Sequence, residues 1–156
     1  MMLRETLTQQ LTASPDVVFQ TLIDPHRLPD WNEAITKVVD CPAVLEPGTE
    51  WTVEMSALGR RWPSRSQVRV LDHAARHFEY TSQSDDGNPS YAVWSWSVSE
   101  SAGGCQVSVS WQLNPKSFWR RALLVKVRQY QLMKSEVPAS LAALDTVSLQ
   151  EPVHGE

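Results

Sequence analysis

The stretch NPKSFWRRALLVKVRQYQLMKSEVPASLAALDTV, from Asn114 to about Val147, decides the fold. It is the only segment long enough for a helix of many turns, and its apolar residues recur at helical spacing. Advanced by ~100° per residue, Trp119, Ala122, Leu123, Tyr130, Met133, Val137, Leu141 and Leu144 fall within one stripe roughly 100° wide. Such a stripe has to be buried against another layer. Lys116, Arg120, Arg121, Arg128 and Lys134 fall on other faces, which predicts a half-solvated helix. Asn114 suits the N-cap and Pro115 the first helical position. Pro138 lacks the N–H that would bond the carbonyl of Lys134, so a kink or break is expected there. Lys126 interrupts the stripe at its centre, between Ala122, Leu123, Tyr130 and Met133. A charge at that place either snorkels off the edge of the stripe or looks into a wet cavity beneath the helix.

Working outward, 156 residues without a long Gly/Ser linker predict one domain over residues 1–149 and a frayed tail over 150–156. A core of that size buries ~70% of the unfolded surface. The net charge of −4 and the pI of about 5.5 argue against nucleic acid as a partner. The charge is uneven, because Lys116 to Lys134 holds six basic residues and no acidic one. That run is a solvated face or a place for an acidic lipid or partner. With no signal-like start and no run of ~18 apolar residues, a soluble cytoplasmic protein without stable membrane insertion is expected. Cys41 and Cys105 lack a CxxC spacing and read as free thiols. His26, His73, His77 and His154 form no HExxH or Cys/His cluster, so neither a metal nor another cofactor is expected. The pattern leaves the oligomeric state open.

Ahead of the long helix the chain alternates. Leu3, Leu7 and Leu11 mark a first strand whose leucine face also carries Glu5 and Gln9, as in an edge strand or one that lines something hydrated. Ser14-Pro15-Asp16 starts a short helix that buries Val18, Phe19 and Leu22, and Asp24-Pro25 repeats the signal for a second helical turn through Trp31. Ile35 to Cys41 is a short strand, and Glu46-Pro47-Gly48 a turn. Trp51, Val53, Met55 and Ala57 alternate with polar residues. After Leu58-Gly59-Arg60, the strand from Trp62 to Leu71 places Val68 and Val70 on one face and Arg65, Gln67 and Arg69 on the other. His73-Ala74-Ala75 turns the chain into a strand where Phe78 and Tyr80 share a face. Asp85-Asp86-Gly87-Asn88-Pro89 is the strongest turn signal. Ala92, Trp94, Trp96 and Val98 alternate next, Ser101 to Gly104 closes a hairpin, and Val107, Val109, Trp111 and Leu113 precede the helix. The reading is α+β: a strand, two short helices, six antiparallel strands and one long helix.

Such a sheet has one inner face and one long helix to cover it. That face carries Trp51, Met55, Phe78, Tyr80, Trp94, Trp96, Val109 and Trp111, a heavy load of rings. A curved sheet gripping a helix leaves a gap, and ring-lined gaps with a few polar groups are what small-molecule pockets look like.

Several strings resemble the START-like, or SRPBCC, superfamily, and within it the polyketide cyclase/dehydrase and lipid-transport group. They are Ala13-Ser14-Pro15-Asp16-Val17-Val18-Phe19, Leu22-Ile23-Asp24-Pro25, Leu28-Pro29-Asp30-Trp31-Asn32, Leu45-Glu46-Pro47-Gly48-Thr49 and Ser140-Leu141-Ala142-Ala143-Leu144. The resemblance implies a helix-grip fold, in which a seven-stranded antiparallel sheet curves around the C-terminal helix and encloses a hydrophobic cavity. The two short helices between strands 1 and 2 would close one end, with Trp31 near the cavity. Relatives bind lipids, sterols, polyketides or plant hormones, and some catalyse cyclisation or aromatisation without a cofactor.

Three functions follow as expectations. The first is binding of a hydrophobic or aromatic small molecule, lipid-like or polyketide-like, lined by Trp31, Trp51, Met55, Phe78, Tyr80, Trp94, Trp96, Trp111, Lys126 and Tyr130. At ~25 cal/mol per Å², a buried ligand face of ~200 Å² supplies roughly 5 kcal/mol before entropic costs. The second is a cofactor-independent cyclase, aromatase or dehydratase, with Glu5 as base, Lys126 or Arg69 holding an enolate and Tyr80 as donor. Arg69 would serve only if the strand phase reversed or a bulge turned it inward. The third is a protein-interaction domain of the kind that stimulates chaperone ATPases, working through the outer sheet surface or the basic helix face.

Overall fold

The computed structural model describes residues 3–32, 34–57, 59–84, 91–114, 133 and 137–150. Lys126 and Tyr130, the front of the long helix, the turn at Asp85 to Pro89 and the end of the tail lie outside the described residues.

Seven strands form one antiparallel sheet: β1 (Leu3–Leu11), β2 (Ile35–Asp40), β3 (Glu50–Ala57), β4 (Arg60–Asp72), β5 (His77–Ser84), β6 (Tyr91–Ser101) and β7 (Gly104–Asn114). Between β1 and β2 come α1 (Pro15–Leu22), a 3-10 turn (Pro25–Arg27) and α2 (Leu28–Trp31), and the described part of the last helix is α3 (Val137–Leu149). Spatial order is β1-β7-β6-β5-β4-β3-β2, so six strands follow one another as a meander and the first strand returns to pair with the last. β1 is thus an edge strand, one of the two readings that its mixed inner face allows.

Alternation governs which side chains meet. Directly paired antiparallel residues share a face. One row across the sheet runs Glu5, Trp111, Trp94, Tyr80 and Val68, and a neighbouring row runs Leu113, Ala92, Ser82, Ser66 and Trp51. Every ring assigned to the inner face from sequence lies on it. The β4–β5 register departs from the expectation, because it shifts between Val68 and Val70. The extra residue sends Val68 inward at 2% exposure and turns Val70 outward at 37%. The two valines therefore do not share a face; a β-bulge inserts one residue and reverses the phase after it.

Local signals hold with one change. Pro15 opens α1 after Ser14, yet the Ser14 side chain makes no capping bond, and its carbonyl accepts from Val18 N at 3.0 Å. Asp24 does cap the next turn, its carboxylate accepting from His26 N at 3.1 Å. Asn114 ends β7 opposite Tyr91. Pro138 is helical in α3, and the carbonyl of Lys134, where the kink or break was expected, lies outside the described residues.

α3 packs against α1, α2 and β1. Val18, Phe19 and Leu22 of α1, Leu11, Val107, and Leu141 and Leu144 of α3 belong to one cluster closed to solvent. Burying a side chain of that size contributes about 1.5–3 kcal/mol. The same buried cluster continues across the inner face through Trp111, Trp96, Phe78, Val68 and Trp51. Among the described residues, no helix is long and apolar enough to cross a membrane.

Candidate functional site: a ring-walled recess between sheet and helix

The inner faces of β3 to β6 open onto a recess that α2 and α3 cover from above. Its sheet side is lined by Trp51, Val53 and Met55 of β3, Ser64 and Ser66 of β4, Tyr80 and Ser82 of β5, and Trp94 and Trp96 of β6. Ile35, Leu28, Asn32, Val137 and Ser140 complete it from β2 and the helical layer. The inner cavity is ≈ 50 Å³, within a recess of ≈ 590 Å³ of empty space that includes open solvent. At roughly 10–15 Å³ per water the inner part holds a few waters, so a larger guest uses the open part as well.

Aromatic contacts set the walls. Trp51 meets Tyr80 edge-on with ring centroids 5.0 Å apart, and stacks on Phe78 at 6.1 Å. Trp94 stacks on Trp111 at 5.6 Å, and Trp31 meets Trp96 edge-on at 5.7 Å. Phe78, Trp111 and Trp31 are buried behind the rings that line the recess, and hold those rings in place. Offset and edge-on pairs of this kind add about 0.5–1.5 kcal/mol each beyond area burial.

Polar groups sit among the rings. Ser64 and Ser82 face each other with hydroxyl oxygens 3.5 Å apart, and Asn32 Oδ1 accepts from Ala34 N at 3.1 Å. Burial pushes the Tyr80 phenol up to about 12, against a smaller opposing influence of Trp96. Tyr80 is accordingly a proton-bearing donor at any physiological pH. The Trp96 indole N–H does not reach hydrogen-bond geometry with any described group, nor does that of Trp31.

The expected binding residues divide. Trp51, Met55, Tyr80, Trp94 and Trp96 come together around the recess, while Trp31, Phe78 and Trp111 form its second layer. Lys126 and Tyr130 lie outside the described residues. Of the expected catalytic groups, Glu5 is on the inner face, half-buried, opposite Trp111. It stands three strands from Tyr80 in the same row, roughly 14 Å away at ~4.8 Å per strand, with Trp111 and Trp94 between them. Arg69 is not brought to the recess: despite the bulge it points outward, its Nε 3.5 Å from the Glu79 carboxylate.

Sequence reasoning missed the serines. The phase that turns Val68 inward also turns Ser66 and Ser64 inward, and the Phe78–Tyr80 phase carries Ser82 with them. Three small polar residues on an inner face were the available signal.

A curved antiparallel sheet gripping a terminal helix over a ring-lined recess defines a helix-grip protein of the START-like, SRPBCC type. The chain belongs to the polyketide cyclase/dehydrase and lipid transport family, which it matches over residues 2–148. Solved structures share the fold. Ginseng major latex-like protein 151 from Panax ginseng is 12% identical with a TM-score of 0.73, over 96% of this chain and 99% of that one. The Zhui aromatase/cyclase from a Streptomyces species is 16% identical with a TM-score of 0.73, over 95% and 94%. Ara h 8.0201 is 17% identical with a TM-score of 0.73, over 97% and 100%. At such identities the likeness is one of fold alone. No curated protein matches the sequence. Family and fold together support hydrophobic-ligand binding or a polyketide cyclase role.

Proposed function

We propose that this protein binds a hydrophobic or aromatic small molecule, lipid-like or polyketide-like, in the recess between the sheet and the C-terminal helix. The observation that carries the reading is unfilled space at the centre of the inner face, walled by Trp51, Tyr80, Trp94 and Trp96. A core meant only for stability closes such space, because an empty volume forfeits dispersion contacts.

Equilibrium dialysis with naphthalene tests the reading. Saturable binding with a dissociation constant below about 1 mM is expected, weakened at least tenfold by Ser82→Leu, whose side chain fills the recess. A melting temperature at or near that of the wild type establishes that the variant folds. Absence of saturable binding, or an unchanged affinity in the folded variant, overturns the proposal.

One observation favours a catalytic reading as a second possibility. Tyr80 brings to the recess a phenol that stays protonated, the form required to donate to a developing enolate. It stands three strands from Glu5 in the same row, so this reading gives Tyr80 the donor role without pairing it to that carboxylate. Loss of solvent proton exchange from a β-diketone probe in Tyr80→Phe supports this reading, and equal exchange in the two proteins removes it.

A further inference from the structure

The sheet has a second concavity, on the face turned away from the helices. Ser95 lies between the inward rings of Trp94 and Trp96, and Ser110 between the inward Val109 and Trp111, so alternation turns both serines outward. They pair with each other across β6 and β7, and Ser95 pairs on its other side with Glu79 of β5. In the neighbouring row Val93 pairs with Gln112, and Gln112 with Arg4 of β1. Arg69 also points outward, with its Nε 3.5 Å from the Glu79 carboxylate. These residues line one open groove of ≈ 230 Å³, larger than the inner cavity of ≈ 50 Å³.

A sheet that curves around a helix is convex on its outer side, where side chains splay apart. The groove forms because short side chains hold its middle and long ones its ends. Val93, Ser95 and Ser110 make the floor, with Arg4 and Gln112 at one end and Arg69 and Glu79 at the other. Arg4 on β1 and Glu79 on β5 are three strands apart, roughly 14 Å at ~4.8 Å per strand. At roughly 10–15 Å³ per water, the space suits a guest of a dozen or more non-hydrogen atoms.

The charges give the guest a direction. On a chain of net charge −4, the described residues that line the groove carry two guanidiniums and one carboxylate. That carboxylate stands at the Arg69 end, so the uncompensated positive charge is at Arg4. A guanidinium offers a fork of N–H donors that matches the oxygens of a carboxylate or a phosphate. Serine hydroxyls and a glutamine amide both donate and accept, which suits a guest bearing hydroxyl groups.

We propose that this outer groove is a second ligand site, taking a hydroxylated organic anion whose carboxylate or phosphate meets Arg4 and whose hydroxyls meet Ser95 and Ser110. No residue that lines it also lines the recess, so the site stands independently of what the recess binds.

Isothermal titration calorimetry with glucose 6-phosphate, gluconate and glucose tests the proposal on the intact chain. At least one of the two anions is expected to bind saturably with a dissociation constant below about 1 mM, and at least tenfold tighter than neutral glucose. The tighter of the two identifies phosphate or carboxylate as the recognised group. Arg4→Gln is expected to weaken that anion at least tenfold, the loss of a charge-assisted contact. Lys37→Gln makes the same change in net charge on β2, at the opposite edge of the sheet, and leaves the affinity as it was. Ser95→Leu fills the floor without altering charge and also weakens binding at least tenfold, which keeps the test open if Arg4→Gln fails to fold. Binding of neither anion overturns the site. So does affinity no better than that of glucose, an equal loss in Arg4→Gln and Lys37→Gln, or unchanged affinity in a folded Ser95→Leu.

Discussion

The carboxylate of Asp145 on α3 is bound by Thr12 from both its backbone and its side chain. Thr12 N donates to the two carboxylate oxygens at 3.0 and 3.1 Å, and its hydroxyl lies 3.2 and 3.0 Å from them. Ala13 N donates to the same group at 3.0 Å. The turn after β1 is thereby fastened to the last helix, and the two backbone N–H groups that no strand or helix satisfies find an ionised acceptor.

Removing that acceptor strands the donors. Asp145→Ala should lower unfolding free energy by about 2 kcal/mol, and Thr12→Val, which keeps the backbone donor, by about 1 kcal/mol. Urea titration measures both. A loss under about 0.5 kcal/mol in Asp145→Ala would show that water replaces the carboxylate.

Tyr80 should be the late-titrating tyrosine. With its phenol pushed up to about 12 by burial, its ionisation at 295 nm appears only as the pH approaches that value, unlike that of an exposed tyrosine near 10. The folded state then binds more protons than the unfolded state between about pH 10 and 12. The associated stability is complete below pH 10 and is lost as the pH rises through 12. Tyr80→Phe should remove both the late absorbance step and that part of the alkaline slope.

Neither thiol should react readily. Burial first, then the charges of Asp24 and Asp40, push Cys41 up to about 11. Burial and Asp145 raise Cys105, with Arg76 opposing. At pH 8 Cys41 then holds roughly a hundredfold less thiolate than an ordinary cysteine. Labelling by iodoacetamide should be slow in buffer and should reach both cysteines in urea. Rapid native labelling of Cys41 would contradict the burial.

Gly104 should resist replacement. Its φ of +154° belongs to a region almost reserved for glycine, and an added Cβ would run into the backbone at Leu11 and Thr12, with Thr12 carbon atoms at 2.9 Å. Gly104→Ala is expected to cost on the order of 3 kcal/mol. Gly103→Ala meets open space but keeps a positive φ of 80°, so it should cost about 1 kcal/mol. Thermal unfolding of the pair distinguishes steric conflict from backbone preference.

The seven strands, the two short helices and the single ring-bearing face were legible because alternation and helical spacing are local properties. Trp94 and Trp96 share a face because they are two apart on β6, as Phe78 and Tyr80 are on β5, and the pairing register brings these rings to the face that holds Trp51. The site was legible only in its apolar half. Ser66 and Ser140 are unremarkable in sequence, since serine reads as surface or turn until a register places it inside. Arg69 shows the same limit from the other side, because a one-residue shift after Val68 decides which way the next residues point.

What the sequence determined by itself was therefore the order of elements and the ring-bearing inward face of β3, β5, β6 and β7, all set by side-chain periodicity along the backbone. Tertiary structure alone decided which rings stand at the recess and which lie behind it. It also brought Ser66 and Ser140 to one cavity from positions far apart in the chain, and fixed Asp145 on Thr12. These depend on register, bulge and helix placement, which are settled by the packing of the whole sheet against the helices and leave no periodic trace in any one segment.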